Sequence, residues 1–339
     1  MATEGEPRPA GDSVRIRLFD ADRTDRALSF DEALAMTPSE RQLLWIDIQG
    51  PFGSDQGDRI RDSFELDAAT LSALAQVAGP SGDGWSPEIG LHGRYVHVRV
   101  VAAPDPRRRG GVWLGIVGGP NLVITGHAEP LELLDAIDER IAADTTTGEL
   151  DAADFIASVL DAVVISYRAA VDAIEDEVDV IDAKALGREE FGDLFRQLID
   201  VRRRVGRLRR LLASHRELFA VLARGEFIHA ARAADAAGLQ AVAGRFEAAL
   251  QGVEDARELV LGSFEILMTR TGQRTNDVMR LLTVATVLAL PATIVAGFLG
   301  MNVQTPLPDK EPLSFWFVVV AILLVEGVIL VVARLRRWI

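Results

Sequence analysis

The chain has 339 residues, no cysteine, a formal net charge of −14 and an isoelectric point near 4.9. This length allows two soluble units and further membrane-spanning segments. The negative charge argues against a general affinity for nucleic acid, and the absence of cysteine excludes disulfides, thiolate zinc sites and cysteine nucleophiles.

The N-terminal segment is polar and carries charges of both signs. It lacks the basic stretch and the apolar run of a signal peptide, so we expect the large N-terminal part of the chain to stay in the cytoplasm. Residues 1–12 contain several Gly and Pro residues and are predicted to be a flexible N-terminus.

Residues 13–148 are predicted to form a cytoplasmic α/β domain, because strand and helix patterns are mixed along them. Period-two alternation of apolar and polar residues predicts strands. The predicted strands cover residues 14–18, 44–48, 95–100, 112–117 and 121–125, and the last two are joined by a turn at residues 118–120. Helical spacing predicts two helices, over residues 68–77 and 130–141.

The chain changes character after residue 148, and nearly everything up to the first apolar run is predicted to be helical. Apolar residues spaced three and four apart predict helices over residues 152–185 and 188–223, within an antiparallel helical region of residues 149–238. A further helix begins near Leu239 and meets no proline before Pro291. Residues 239–280 are therefore predicted to be a stalk helix that enters the membrane without a break.

Two apolar runs near the C-terminus are each long enough to cross about 30 Å of hydrocarbon as a helix. They are predicted transmembrane helices, residues 281–302 and 313–333, joined by an external loop of residues 303–312. Basic residues flank the runs on the sides away from that loop: Arg270, Arg274, Arg280, Arg334, Arg336 and Arg337. Because basic residues favour the cytoplasmic side, we expect an integral protein of the plasma (inner) membrane whose two termini, including the basic tail of residues 334–339, are cytoplasmic.

A short signature stands at the outer end of the first run. Gly300-Met301-Asn302 follows a long helix that carries the pattern Asn276-x-x-Met279-x-x-Leu282. At this position, before the second of two C-terminal spans, the tripeptide resembles the Gly-Met-Asn signature of the CorA family of divalent-cation transporters. The resemblance implies an α+β cytoplasmic domain, long helices and two C-terminal transmembrane helices. It also implies a funnel-shaped homopentameric channel in which five copies of the first span line the pore.

One face of the first span gathers the candidate pore-lining and gate residues. Steps of three or four residues back from Asn302 connect them along one side of a helix. They are Asn276, Met279, Leu282 (or its neighbour Thr283), Thr286, Leu290 and Thr293. In a five-fold bundle these positions become stacked rings of amide, hydroxyl and apolar groups, which are the usual materials of selectivity and gating.

Acidic residues extend this face at both ends. Glu265 is the main candidate, and Glu258 the second, for a metal-binding ring at the pore mouth or a regulatory Mg²⁺ site. Other acids of the stalk, such as Glu254, are expected to form a solvated face. Asp309 and Glu311 in the external loop are candidate attractors of cations. The resemblance implies that cytoplasmic Mg²⁺ gates the channel by bridging acidic residues between subunits.

The chemistry of the predicted selectivity filter, Gly300, Met301 and Asn302, suits hydrated Mg²⁺. This ion loses its water reluctantly, and neutral amide oxygens can accept hydrogen bonds from the hydrating waters without removing them. Apolar collars at Met279, Leu282 and Leu290 can close by dewetting. We therefore expect channel-like uptake of Mg²⁺, accompanied by Co²⁺ or Ni²⁺. The expected partners are further copies of the chain, membrane lipid and divalent cations.

Other functions stay open at this stage. Leu299 stands where many family members carry an aromatic residue, and transporters of the ZntB type share the architecture with a variant signature. The alternative is therefore a ZntB-like proton-linked Zn²⁺ transporter, and a more distant one is a membrane-tethered scaffold without permeation. No catalytic constellation and no phosphate-binding glycine motif is found, so we expect neither an enzyme nor an organic cofactor.

Three groups of titratable side chains allow two interpretations each. Glu326 in the second run is either a proton-linked or gating carboxylate or a packed residue hydrogen-bonded to a first-span group such as Thr286. The second is favoured because a charge there costs at least ~2.5–3.5 kcal/mol. The arginine-rich stretch of residues 202–216 is expected to pair with acidic residues within the protein rather than to bind nucleic acid. The five histidines show no close metal-ligand spacing, and His97 is expected to be structural.

Overall fold

The computed structural model describes residues 14–20, 25–51, 53–78, 86–103, 111–143, 152–187, 191–224, 236–300 and 312–335. The chain divides into two compact units. One spans Met1–Ile181 and Arg196–Gly262, and the other spans Asp182–Phe195 and Ser263–Ile339. The first unit contains the sheet and most of the helical packing, and the second contains the apolar C-terminal helices.

A seven-stranded sheet organises the first unit. In chain order its strands are β1 (Val14–Asp20), β2 (Arg26–Ala27), β3 (Gln42–Gln49), β4 (Glu88–His92), β5 (Tyr95–Ala102), β6 (Val112–Gly119) and β7 (Leu122–His127). The spatial order is β2-β1-β3-β7-β6-β5-β4. Only the central pair β3 and β7 is parallel within this sheet; the other neighbours are antiparallel. Both central strands are buried nearly throughout, as a strand covered on two faces requires.

Four shorter helices accompany the sheet in the described part of this unit. They are α1 (Phe30–Leu34), α2 (Ser54–Phe64), α3 (Ala68–Ala78) and α4 (Glu132–Ala143). A capping box starts α1, because the Ser29 hydroxyl accepts from the Glu32 N–H while the Glu32 carboxylate accepts from the Ser29 N–H. Helix α2 ends at Glu65, whose left-handed backbone (φ 53°) stops the helix before α3 begins.

Trp45 of β3 lies at the centre of the packed core. Its side chain is fully buried, and its ring lies 6.3 Å from that of Phe19 and 5.2 Å from that of Phe155. The indole N–H donates to the hydroxyl of Thr125, 3.0 Å away, so the one polar atom of the ring is satisfied. The hydrogen bond to Thr125 joins the two parallel strands, and the ring contact with Phe155 joins them to a long helix.

Four long helices account for the described residues from 152 onwards, apart from a few turn residues. They are α5 (Ala152–Leu186), α6 (Phe191–Leu222), α7 (Ala236–Gly300) and α8 (Pro312–Leu335). The apolar stripe predicted for α5 is buried, from Leu160 and Tyr167 to Val178. Stacked rings of Phe219 and Phe246, 4.2 Å apart, join α6 to α7 within the first unit. The helices thus follow the sequence periodicity closely, and α7 continues through Pro291.

The arginines of α6 pair with acidic residues of the neighbouring long helices, which confirms the predicted interaction within the protein. The pairs in the first unit are Arg204 with Glu177, Arg209 with Glu254, and Arg216 with Glu247 at 3.8 Å. These three arginines of the stretch therefore take part in helix packing.

In the second unit, polar contacts fix the C-terminal end of α5 against α7. The Ser263 hydroxyl donates to Asp182 at 2.9 Å, and the Arg274 guanidinium donates to the carbonyl of Gly187. The apolar parts of α7 and α8 are different, because their large side chains are exposed: Leu281 is 71% and Phe298 68% exposed. Each of the two helices contains a stretch long and apolar enough to cross a membrane.

Candidate ion-conduction site

The three polar side chains in the apolar part of α7 share one face. Thr283, Thr286 and Thr293 fall within about 80° of arc at about 100° per residue. All three are exposed. Each hydroxyl donates to the backbone carbonyl four residues earlier, at 2.8, 2.9 and 2.7 Å respectively. Because of their spacing, all three threonines lie on one side of the helix, and the remaining sides of the apolar run carry no polar side chain.

These internal hydrogen bonds decide what the threonine face can do. A hydroxyl has one proton to donate, and here the helix backbone takes it, while the oxygen keeps acceptor capacity. The three threonines can therefore accept hydrogen bonds but have no hydroxyl proton left to donate. A hydrated cation presents water hydrogens outward, so an acceptor-only surface suits a cation and disfavours an anion.

Apolar and amide side chains lie between and below the threonines on the same face. Met279, Leu282 and Leu290 are 58%, 59% and 55% exposed, and Asn276 is also exposed. The structure therefore brings the predicted pore-lining residues together on one surface of a single chain. Thr283, which the sequence analysis offered only as a substitute for Leu282, belongs with the other two threonines. Its signal is simple: it is a polar residue in an otherwise apolar run.

Small residues occupy a different face of the same span. They are Ala285, Ala289, Ala292 and Ala296. This alanine face is centred about a third of a turn away from the threonine face at about 100° per residue. Small side chains let helices approach closely in membranes, so the alanine face suits helix contact while the threonine face suits water.

The acidic residues of α7 fall into two groups. Glu247 and Glu254 contact arginines of α6, as described above. Glu258 and Glu265 are exposed, and within the described residues neither carboxylate has an ion pair or hydrogen bond. Asp277 is also exposed and has no ion pair or hydrogen bond within the described residues. The two candidate metal ligands that the sequence analysis selected are therefore among three unpaired carboxylates of α7. Glu254 contacts Arg209 while about a third of its side chain stays exposed, so the solvated face stays a prediction.

Several predicted site residues lie outside the described part of the chain. Gly300 is the last residue of α7. The other filter residues, Met301 and Asn302, and the loop acids, Asp309 and Glu311, are outside the described residues.

The carboxylate of the second span lies within the described chain. Glu326 is half-buried on α8, and no described side chain or backbone group is hydrogen-bonded to it. Thr286, the partner suggested from the sequence, donates its proton to its own helix instead. Among the described residues no group of three or more histidine or acidic side chains could hold a metal ion.

Comparison with known proteins identifies the family. The chain matches the family model described as CorA-like Mg²⁺ transporter protein over residues 40–337. The chain belongs to the CorA family. It is 24% identical over 313 residues to the cobalt/magnesium transport protein CorA of Thermotoga maritima, a match that covers 87% of this chain and 83% of that relative.

Two further comparisons agree with this membership. The divalent cation transporter CmaX of Pseudomonas aeruginosa is 30% identical over 169 residues, which is 50% of this chain and 48% of the relative. The CorA magnesium transporter structure from Methanocaldococcus jannaschii has a TM-score of 0.72 and 17% identity, covering 96% of this chain and 98% of that one. The likeness confirms the predicted fold class: a soluble α/β domain, long helices and two C-terminal apolar helices.

Family membership and the exposed apolar helices together establish the general character of the protein. It is an integral membrane protein and a CorA-like transporter of divalent cations, not an enzyme. The exposure of the apolar side chains on α7 and α8 has its ordinary explanation in contact with lipid and with other helices.

Proposed function

We propose that this CorA-family protein is a channel-like transporter that takes hydrated Mg²⁺ into the cytoplasm, with Co²⁺ or Ni²⁺ as accompanying ions. The observation that carries the proposal is the acceptor-only threonine face of α7, which suits the water shell of a cation. Mg²⁺ keeps its waters more tightly than other common ions, so a path that binds the shell rather than the bare ion favours it.

The conducting unit is a homopentamer in which five copies of α7 surround the path. In one chain the threonine face has no described helix over it, and its residues are exposed. Five copies would turn Thr286, Thr293 and Asn276 into rings and place the apolar rings of Met279, Leu282 and Leu290 between them. The alanine face supports this arrangement, because it supplies a second surface for close helix contact.

The filter stands at the outer end of the path. Gly300, Met301 and Asn302 would supply backbone and amide oxygens to an arriving hydrated ion, while Asp309 and Glu311 would raise its local concentration. The apolar rings would form the gate, because a narrow apolar passage excludes water when it closes. A divalent ion gains about 4.6 kcal/mol in crossing a potential of 100 mV, so no bound nucleotide is required.

Regulation would come from Mg²⁺ on the cytoplasmic side. Glu265 and Glu258 are two of the α7 carboxylates that no arginine of the described chain contacts. Mg²⁺ that bridged such carboxylates between copies would stabilise the closed assembly, and its loss would let the gate widen. This arrangement places the protein in the plasma (inner) membrane with both termini in the cytoplasm, in keeping with its flanking arginines.

The test is Mg²⁺ entry into liposomes that contain the purified full-length protein and a Mg²⁺-sensitive dye. We expect Asn302→Ala to reduce entry at least tenfold, and Gln304→Ala, which removes an amide two residues further on, to leave it near the wild-type rate. Added Co²⁺ should compete with Mg²⁺. Equal entry through both variants would contradict the filter assignment, and no entry through the wild type would favour a scaffold.

The ZntB-like alternative gives a different result in the same liposomes. Zn²⁺ entry would then exceed Mg²⁺ entry and would rise when the outer solution is acidified, because protons accompany the metal. Entry of Mg²⁺ that is insensitive to an imposed pH gradient would exclude this alternative.

A further inference from the structure

A pair of histidines lies at the edge of the sheet, away from the ion path. Strands β4 and β5 are antiparallel, with Gly90 opposite His97 and His92 opposite Tyr95. This register puts the two histidines on the same face in diagonal positions. Their rings are stacked with centroids 5.0 Å apart. The pairing of two strands, not sequence spacing along one element, creates this arrangement.

A carboxylate stands beside one nitrogen of each ring. The Nε2 atom of His97 lies 3.2 Å from Glu88, and the Nδ1 atom of His92 lies 3.6 Å from Asp67. A carboxylate at one ring nitrogen favours the N–H there and leaves the other nitrogen as a bare lone pair. Carboxylate–histidine pairs of this kind orient the imidazoles that bind metal ions in proteins.

The remaining two nitrogens converge over a glycine. A methyl group placed on Gly90 would lie 2.6 Å from Cε1 and 2.9 Å from Nδ1 of His97, and 3.5 Å from Nε2 of His92. The ring edges that carry these two nitrogens therefore both face Gly90, and only a glycine leaves room for the His97 ring there. The Nδ1 atom of His97 is buried and has no hydrogen-bond partner among the described residues. A buried acceptor without a partner is costly, and a bound cation would remove that cost.

The surrounding charges support an ionised, ordered site. Asp67 also caps α3, because one of its carboxylate oxygens accepts the Thr70 N–H at 2.6 Å, and this bond fixes its position. Glu88 forms an ion pair with Arg99 at 2.9 Å, and its other carboxylate oxygen accepts a hydrogen bond from His97. His92 is about one-third exposed, which leaves an entrance from solvent.

We propose that Nε2 of His92 and Nδ1 of His97 bind one transition-metal divalent cation, such as Zn²⁺, Co²⁺ or Ni²⁺, with water completing its coordination. Imidazole nitrogen suits these ions, whereas Mg²⁺ prefers oxygen ligands. Two protein nitrogens are fewer than the three or four of catalytic and structural zinc sites, so the ion exchanges readily. The domain would thereby distinguish transition metals from the Mg²⁺ that the ion path carries.

Calorimetric titration of the full-length protein with Zn²⁺ tests this site, in detergent and in excess Mg²⁺ to occupy oxygen-ligand sites. We expect the wild type to bind one Zn²⁺ per chain. His97→Gln, His92→Gln and Gly90→Ala should each raise the Kd for this Zn²⁺ at least tenfold. Gly90→Ala keeps both histidines but forces the His97 ring to shift, because the added methyl group would lie 2.6 Å from its Cε1. His229→Gln is the control and should bind Zn²⁺ as the wild type does.

Thermal unfolding of every variant without metal checks that it folds. If a histidine variant does not fold, Asp67→Asn replaces it: this change keeps both nitrogens but loosens His92, and we expect several-fold weaker binding. Zn²⁺ should raise the melting temperature of the wild type and not that of Gly90→Ala. Equal Zn²⁺ affinity in the wild type and in Gly90→Ala, or no Zn²⁺ binding by the wild type, would overturn the proposal.

Discussion

The backbone N–H of Val101 donates a hydrogen bond to Nε2 of His215 at 2.9 Å, and this bond ties α6 to β5. The other ring nitrogen, Nδ1, donates to the carbonyl of Leu211 at 2.6 Å. The imidazole is buried against the rings of Tyr167 and Phe219. Burial lowers the pKa of His215 to about 4, only partly opposed by its bond to Leu211, so the side chain is neutral in the folded protein.

The first prediction concerns pH and His215. Its folded pKa of about 4 lies below the unfolded value of about 6.5, so its contribution to stability is present above pH 6.5 and is lost as pH falls towards 4. We expect a loss on the order of 3 kcal/mol across that interval. Denaturant unfolding of the full-length protein in detergent, at a series of pH values, measures it.

His215→Leu provides the control for this pH series. The variant should be less stable than the wild type at pH 7.5, because Val101 loses its acceptor, and it should lose less stability on acidification. The same pH slope in both proteins would show that His215 is not the group responsible.

The second prediction concerns Asp47, a fully buried carboxylate on β3. It accepts from Thr125 at 2.6 Å, and it lies 3.1 Å from both His127 and Arg15. Burial alone would raise its pKa, but the hydrogen bond and charge of His127, with Arg15 and Thr125, hold the pKa of Asp47 below its ordinary value. Asp47→Asn removes the buried carboxylate from Arg15 and His127, while Arg15 keeps its contacts with Asp135 and Asp138. We expect a loss of about 3 kcal/mol in unfolding free energy.

Asp62→Asn serves as the matched control, because Asp62 is an exposed residue paired with Arg61. Surface pairs contribute between zero and about 1 kcal/mol, so the control should unfold close to the wild type. Denaturant unfolding at pH 7.5 compares the three proteins. Equal losses in the two variants would remove the special role of the buried carboxylate.

The third prediction separates the two groups of acids on α7. Glu265→Gln should abolish the Mg²⁺-dependent protection of the full-length protein from limited proteolysis, because it removes a carboxylate that no described residue of the chain neutralises. Glu254→Gln should retain that protection, because Arg209 already occupies its carboxylate. The digestion rate with and without millimolar Mg²⁺ is the measurement. Protection lost in Glu254→Gln and kept in Glu265→Gln would reverse the assignment.

The fourth prediction tests the role of Glu326. We expect Glu326→Gln to leave Mg²⁺ entry into liposomes within about twofold of the wild type between pH 6 and 8, because an isosteric neutral amide fits a packed position in the second span. An effect confined to one end of the pH range would instead assign Glu326 to proton coupling. Val325→Gln, an amide on the adjacent position, controls for polarity in the span.

Local patterns predicted most elements of the fold. Periodicity predicts α3 and α5 to within a few residues, because one face of each is consistently apolar, and the length of the apolar runs predicts the two apolar helices. The turn between β6 and β7 was placed too early: β6 continues to Gly119, and Asn121 takes the left-handed backbone (φ 57°) that makes the turn. Asparagine tolerates that conformation and therefore indicates a turn, but Asn121 also fits the alternating pattern of the strand that follows. The domain boundaries stay predictions.

Contacts between distant residues could not be predicted in the same way. The threonine face follows from spacing within one helix, so the sequence was sufficient for it. The pairing of Glu254 with Arg209 depends on how two helices meet. The histidine pair depends on the register of β4 and β5, which a two-residue turn at Gly93 and Arg94 fixes, with Gly93 at φ 60°. The Gly93-Arg94 turn is the feature of the sequence that indicates the register of β4 and β5.

The most direct test asks which face of α7 borders water during transport. The chain has no cysteine, so single cysteines can be introduced without background. Thr286→Cys and Leu288→Cys differ by only two positions in depth, but the two sites lie about 160° apart around the helix, so Leu288 is on the side away from the threonine face. We expect a charged, water-soluble thiol reagent to block Mg²⁺ entry in Thr286→Cys and to leave Leu288→Cys unaffected. Block of Leu288→Cys with Thr286→Cys unaffected would contradict the account.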